Sequence, residues 1–360
     1  MTEVLLKELS NSDINWMIAT GQKKEIPAGT ILAQQGKALD TLHIILDGTF
    51  TISVSQAANN PLDKAFAAIE DSETLEKEIA RLSSGEIVGE IPFINVRPAA
   101  TTVEAIEKSV VISISRQQLT AKLQQDVSFA SRFYRAIAIL LANRITQLGY
   151  SKLVKSKTLR DMLFVLEQLH DSDIDWLIAI GTSQKIAPNT VLIREGGPVD
   201  ALYILLDGTM TVSVSEDERN PLTRAFAALE GEKTRSREIA RLSKGEIVGE
   251  TAFIDTSLPF ATVKAIGDSL VLSIPRQQLA AKLQQDIGFA SRFYRVITTL
   301  LANRLQEMFS RVGYGRRVYS KGQPLDENVE YEDELDSNIL DNMALAGTKF
   351  DWMLSCLRRN

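Results

Sequence analysis

The hexapeptide Gly85-Glu86-Ile87-Val88-Gly89-Glu90 occurs twice, the second time as Gly245-Glu246-Ile247-Val248-Gly249-Glu250. The chemistry it offers is binding. A carboxylate, Glu90 or Glu250, stands at what reads as the start of a short helix. Unpaired backbone N–H groups there can hold an anion, or be satisfied by the carboxylate itself. A catalytic set is harder to assemble. His43 and His170 are not repeat partners, Cys356 is the only cysteine, and no nucleophile–base pair, metal cluster or Walker-type loop is visible. The expectation is therefore a protein that is not an enzyme and uses no cofactor and no metal. One cysteine cannot form an intramolecular disulfide, and a reducing cytoplasm is the simple setting. With only Arg358 and Arg359 as nearby cations, the thiol reads as inert.

The elements that would position the two carboxylates are also written twice. Leu5 to Ser151 aligns with Val165 to Arg311 at a constant shift of 160, without a gap, and Phe129-Ala130-Ser131-Arg132-Phe133-Tyr134-Arg135 recurs at Phe289 to Arg295. Solenoid units run roughly 20–50 residues, so this period is a duplicated domain. The 360 residues then divide as 1–155, 156–312 and a tail, 313–360. Hydrophobic content of 44% and charged content of 24% suit two globular domains with their own cores.

Each copy opens with amphipathic helical segments that pair Leu9 with Leu169, Ile14 with Ile174 and Trp16 with Trp176, and Ser12 and Ser172 are placed to cap a second short helix. The period then becomes alternating. Thr41 to Leu46 and Ala201 to Leu206 read as strands closed by the Asp47-Gly48 and Asp207-Gly208 turns, and Thr49 to Ser55 reads as a half-buried strand. Gly29, Gly36, Gly48, Gly85 and Gly89 punctuate copy one where tight turns call for positive φ. Many short strands with such turns indicate a barrel or jelly roll.

An insert follows, a Pro61-started helix with Leu62, Phe66 and Ile69 on one face, repeated as Leu222, Phe226 and Leu229. That face either packs on its own roll or makes an assembly contact. Each copy closes with a helix, Phe133, Ile137, Leu140, Leu141 and Ile145 in the first and Phe293 to Leu305 in the second, which reads as core.

Helices, a jelly roll of short strands with a small helix inside it, then more helices: this order resembles the cyclic-nucleotide-binding domain family over nearly all of both copies. The phosphate-binding cassette of that family is matched by Val88-Gly89-Glu90-Ile91-Pro92-Phe93 through Ala100-Thr101-Thr102-Val103, and by Val248-Gly249-Glu250-Thr251-Ala252-Phe253 through Phe260-Ala261-Thr262-Val263. The resemblance implies a fold that is mainly β with flanking helices, two tandem jelly rolls plus a C-terminal tail. It gives Glu90 and Glu250 the place of the glutamate that accepts the ribose 2′-hydroxyl. The family's phosphate-binding arginine falls at Ala99 and Pro259, so both copies lack the cation. An arginine–phosphate pair is worth roughly 1.5–3 kcal/mol, and a phosphate buried without it is costly. Arg97 could stand in through a shifted loop in copy one, but its counterpart is Ser257.

A helix-turn-helix is not visible after the second copy. Arg311, Arg316, Arg317 and Lys321 are followed by an acidic run from Asp326 to Asp336, and the chain carries a net charge of −6. Nucleic acid is therefore not an expected partner. No stretch approaches the ~18 apolar residues of a membrane span, and the N-terminus lacks the apolar core of a signal peptide. In the tail, Phe350, Met353, Leu354 and Leu357 form one face of a short helix, with Trp352 beside it. Such a helix is marginal alone and has to dock, in cis or as a tether to a neighbouring subunit. The leading expectation is a cytoplasmic protein-interaction or assembly module, with a protein partner or a homo-oligomer, on a degenerate nucleotide cassette. The alternative is a sensor of a cyclic nucleotide or another small anion.

Overall fold

The computed structural model describes residues 2–57, 74–95, 98–148, 168–215, 236–254, 258–313 and 337–357. The chain divides into two compact units, Met1–Leu148 with Thr298–Asp336, and Gly149–Ile297 with Ser337–Asn360. The insert face, Leu62, Phe66 and Ile69 with Leu222, Phe226 and Leu229, lies outside the described residues, as do Arg97 and Ser257.

Unit 1 begins with two helices, α1 (Thr2–Glu8) and α2 (Asn11–Thr20). The expected cap is corrected by two residues. The cap is Ser10, whose hydroxyl accepts from Asp13 N at 3.2 Å while Asp13 Oδ2 accepts from Ser10 N at 2.9 Å, so Ser12 is already inside the helix. Copy two likewise starts its helix α6 (Asp171–Ile180) before Ser172, with Asp173 accepting from the His170 N–H at 2.9 Å. The reciprocal bond, in which the Asp13 carboxylate at the third helical position accepts from the Ser10 N–H, fixes the earlier start.

Eight strands follow in unit 1: β1 (Gln22–Ile26), β2 (Ile31–Ala33), β3 (Thr41–Asp47), β4 (Phe50–Ala57), β5 (Thr74–Leu82), β6 (Ile87–Val88), β7 (Thr102–Ala105) and β8 (Ser109–Ser115). They form two antiparallel four-stranded sheets, ordered β1-β8-β3-β6 and β2-β7-β4-β5. The alternation along β4 puts Phe50, Ile52 and Val54 inside, at 0, 2 and 0% exposure. Phe50 and Ile52 pack with Ile45, Leu82, Val103 and Val111 between the sheets. Asp47-Gly48 carries the chain from one sheet into the other, and Gly48 sits at φ 94°, as Gly208 does in copy two. All five glycines singled out in copy one have positive φ.

Inside the roll lies a short helix, α3 (Glu90–Asn95), and behind it α4 (Arg116–Gln125) and α5 (Val127–Leu148). The expected stripe on α5 is core, with Phe133, Ile137 and Leu141 at 0% exposure. Phe129 stacks on Phe133 at 5.6 Å and meets Trp16 of α2 edge-on at 5.4 Å, with Lys122 Nζ 5.6 Å from the Trp16 ring.

Unit 2 repeats the plan. Its strands are β9 (Thr182–Ile186), β10 (Val191–Ile193), β11 (Ala201–Asp207), β12 (Met210–Ser215), β13 (Ser236–Leu242), β14 (Ile247–Val248), β15 (Thr262–Ala265) and β16 (Ser269–Pro275). The sheet orders are β14-β11-β16-β9 and β10-β15-β12-β13, the same neighbours as in copy one. Helix α7 (Arg276–Gln285) follows, then α8 (Ile287–Gly313), whose residues belong to unit 2 up to Ile297 and to unit 1 from Thr298. Trp176, Phe289 and Lys282 rebuild the aromatic junction, with rings 5.4 Å apart and the ammonium 5.7 Å from Trp176.

The tail helix, α9 (Ser337–Leu357), packs within unit 2. Phe350 and Met353 are buried at 3 and 0% exposure, Lys349 Nζ donates to Leu169 O at 2.8 Å, and Lys244 Nζ lies 5.0 Å from the Phe350 ring. Of the face expected to dock in cis or on a neighbouring subunit, Phe350 and Met353 are thus buried by their own unit. Trp352 remains 40% exposed, and Leu357 is half-buried.

Candidate functional site

In copy one the cassette is the stretch from β6 through Gly89 and α3 to the start of β7. Gly85 N donates to Ile45 O at 2.7 Å and Ile45 N to Glu86 O at 3.0 Å, which ties the preceding turn to β3. Glu86 is consumed by that turn, its Oε2 accepting from Ser83 N at 2.7 Å. Gly89 then takes φ 94°, and an added Cβ would stand 2.6 Å from Thr41 O. Only a glycine makes this corner. It delivers Glu90 to the first residue of α3 with 3% exposure.

On the far side, Ala99 exchanges backbone bonds with the 36–37 turn, Gly36 N to Ala99 O at 2.8 Å and Ala99 N to Lys37 O at 2.9 Å. Its methyl group belongs to the core between the sheets. Ala100 is half-buried, Thr101 is 9% exposed, and Thr102 Oγ1 accepts from Gln35 N at 3.2 Å. The structure brings Gly89, Glu90, Ala99, Ala100 and Thr101 to one cleft, the five residues picked out in this copy. Most of its remaining wall is aliphatic, including Leu39, Ile52, Leu82 and Val103.

Two residues the sequence reading passed over complete this cleft. Arg144, from α5, donates to the Glu90 carboxylate through Nη1 and to Ile87 O through Nη2 at 3.1 Å. The two side chains are 7 and 4% exposed. Arg144 is the only lysine or arginine among the described lining residues, and its charge is matched by Glu90. Phe309, from the end of α8, lines the same cleft at 3% exposure.

A third, Arg116, holds the other end of α3. Its Nη2 donates to Pro92 O at 2.7 Å and to Leu39 O at 3.2 Å, and its Nη1 to Phe93 O at 3.2 Å. A cation on the last carbonyls of a helix suits the sign of its dipole. Arg276 does the same in copy two, reaching Ala252 O at 3.2 Å and Val199 O at 3.3 Å. The signal was available: Arg116, Arg132 and Arg144 all recur as arginine at a shift of 160. Phe309 had no such signal, because its counterpart is Gly149.

In copy two, Gly249 turns at φ 87° and Glu250, 4% exposed, opens a short 3₁₀ turn, Glu250–Phe253, in place of the α-helix. Pro259 O accepts from Gly196 N at 2.7 Å, Phe260 is half-buried and Ala261 is 5% exposed. Thr262 Oγ1 accepts from Glu195 N at 3.1 Å, the counterpart of the Thr102–Gln35 bond.

No group of three or more metal-ligating side chains occurs among the described residues. His43 is buried in β3, with Nδ1 2.9 Å from Ser113 Oγ, and burial, with Lys24 nearby, lowers its pKa to about 4. No described helix is long and apolar enough to cross a membrane.

Comparison with known proteins agrees with this architecture. The profile of the Cyclic nucleotide-binding domain family matches residues 23–126 and 183–286, two stretches offset by the period of the repeat. The cAMP-dependent protein kinase type II regulatory subunit of Drosophila melanogaster is 19% identical over 270 residues, 75% of this chain and 56% of that protein. The cGMP-dependent protein kinase of Toxoplasma gondii is 22% identical over 277 residues, 77% of this chain and 22% of that protein. The chain therefore spans about half of the first relative and under a quarter of the second. Among solved structures, the regulatory domain of Toxoplasma gondii PKA with cAMP aligns over 79% of this chain and 89% of that one, at 18% identity and a TM-score of 0.28. The two matched stretches cover more than half of the sequence, and the chain belongs to the cyclic nucleotide-binding domain family, with two such domains in tandem.

Proposed function

We propose that this chain is a non-enzymatic, cytoplasmic regulatory or assembly module that works through protein contacts, with cassettes that do not hold a cyclic nucleotide in the ordinary way. The divisions at 155/156 and 312/313 separate two such domains and a tail. The observation that carries this reading is the state of charge in the first cassette. Ala99 sits where the family places its phosphate-binding arginine, and Arg144, the one cation on the described wall, is already bound to Glu90. Among the described residues, a phosphate brought there would meet no unmatched positive charge, and it would lose its water. Pro259 leaves the second cassette without the same cation.

The partner is a protein. The Drosophila relative is by name the regulatory subunit of a kinase, so a kinase catalytic chain is the first partner to try. Sedimentation of this chain with such a partner, with and without cAMP, tests the reading. Association indifferent to cAMP and to Glu90→Ala plus Glu250→Ala supports it, and association that cAMP abolishes contradicts it.

A sensor of a cyclic nucleotide or another small anion is the second reading. It is favoured by the two buried glutamates, Glu90 and Glu250, each delivered to the start of a short helical turn by a positive-φ glycine.

A further inference from the structure

The two copies differ in how one apolar face is covered. In copy two, α9 packs against α6. Lys349 Nζ donates to Leu169 O and stands 3.6 Å from Asp171 Oδ1, and the next residue, Phe350, sets its ring by Lys244. Lys244 lies in the turn whose Glu246 O accepts from Leu205 N at 2.9 Å. Consecutive residues of α9 thus reach the start of α6 and the turn beside the end of β11. On this face Ile174 and Leu206 are 0 and 1% exposed, and Ile178 is half-buried. Copy one carries the matching residues, and they are open. Ile18 is 58% and Leu46 40% exposed, Ile14 is half-buried, and Ser84, the counterpart of Lys244, donates to Leu46 O at 2.7 Å. Other matched positions are equally exposed in both copies, Ile106 and Ile266 at 45 and 43%, Val127 and Ile287 at 44 and 45%. The contrast between Leu46 and Leu206 therefore marks the side on which α9 lies in copy two.

From this we infer that Ile14, Ile18 and Leu46 form a docking face for an amphipathic helix of a partner protein, laid on copy one as α9 is laid on copy two. Ile14 and Ile18 are one helical turn apart on α2 and share a side, and apolar anchors three or four residues apart, as Phe350 and Met353 are, suit such a face. The charge of the rim selects the occupant. Asp171 and Asp175 of α6 become Asn11 and Asn15 on α2, and Lys244 becomes Ser84. A lysine placed like Lys349 would meet no carboxylate at Asn11, so the partner helix carries an uncharged residue there. The α9 of a second copy fits less well, because it would give up Asp171 and its own buried site. This names a surface and a kind of partner for the reading of the chain as a module that works through protein contacts, and it rests on that reading.

Fluorescence anisotropy tests the face, with the full chain as receptor and labelled peptides of residues 337–357 as probes, one of native sequence and one with Lys349→Ala. The Lys349→Ala peptide should bind saturably and at least as tightly as the native peptide. In the receptor, Ile18→Asp and Leu46→Asp should each weaken that binding by about ten-fold or more, since a carboxylate would then be buried against an apolar anchor. Both positions are exposed, so the melting temperature of either variant should stay at the native value. Absence of saturable binding, or binding that neither variant weakens, would overturn the docking face. Binding that is lost with the Lys349→Ala peptide would place the probe on copy two in exchange for α9, and would overturn it as well. A native chain that sediments as a dimer, dissociated by Ile18→Asp, would give the face to a second copy instead of a partner helix. Failure of a kinase catalytic chain to associate would count against the functional reading and leave the docking face standing.

Discussion

Arg132 reaches Asp13 with two hydrogen bonds, Nε to Oδ2 at 2.6 Å and Nη2 to Oδ1 at 3.0 Å, across 119 residues of chain. Arg292 and Asp173 repeat the pair at 2.6 and 2.8 Å. In each copy it ties the opening helix to the closing one, and so sets the helical layer behind the roll. Asp13 also accepts from Ser10 N, so one carboxylate both caps its helix and receives the arginine. Asp13→Asn should lower stability by about 2 kcal/mol, less than the ~3–5 of a fully enclosed pair because Arg132 is 34% exposed. Denaturant unfolding checks this, and an unchanged midpoint contradicts it.

Acid should weaken the fold in two steps. Burial alone would raise the pKa of Asp13 and Asp173, but their arginines and cap bonds outweigh it and hold both below the ordinary carboxylate value. Their contribution is present above about pH 4 and is lost as pH falls through the lower folded values. His43 acts earlier. With a folded pKa of about 4 against an ordinary 6.5, the unfolded chain takes up a proton that the folded chain refuses. Stability therefore falls between pH 6.5 and 4, by up to about 3 kcal/mol. Tyr203 occupies the matched position in copy two. His43→Tyr should flatten the upper step and leave the lower one, as read by melting temperature at pH 7, 5.5 and 4.5. An unchanged slope between pH 6.5 and 4 excludes His43 as its source.

The cassette glycines should behave as structural residues. An added Cβ at Gly89 would stand 2.6 Å from Thr41 O and 2.8 Å from Leu39 Cδ2, and at Gly249 it would stand 2.8 Å from Ala201 O. Both positions have positive φ. Gly89→Ala and Gly249→Ala should each destabilise by about 1–3 kcal/mol. Calorimetric melting measures this, and native stability in either variant contradicts the strained corner.

These corners were legible in the sequence because a glycine at a tight turn announces itself locally, and because every cassette element is written twice. The strands were legible for the same reason, from the alternation in Thr49 to Ser55. What stayed hidden depends on distance. Glu90 meets Arg144 across 54 residues of chain, and no spacing rule links a glutamate at a helix start to an arginine on a later helix. Ser12 looked like a cap because serine suits the role, while the choice of Ser10 was decided by Asp13 three residues on. The tail's apolar face was visible as Phe350, Met353 and Leu357. That Phe350 finds Lys244 of its own unit follows from the fold alone.

The tail should accordingly act on its own unit. Phe350→Ala should cost about 3 kcal/mol, the usual loss for a buried ring. Proteolysis should then cut residues 168–215 and 236–297 faster while leaving the first roll protected. Native resistance in this variant, with a change of sedimenting mass, would instead place Phe350 at a contact between chains.

The central claim is that, among the described residues, the first cassette holds no cation free to receive a phosphate. Calorimetric titration of cAMP and cGMP into the native chain tests it most directly. The account predicts no saturable heat for either nucleotide. Saturable binding at one or both cassettes, lost on Glu90→Ala or Glu250→Ala, would contradict it and make the chain a nucleotide sensor.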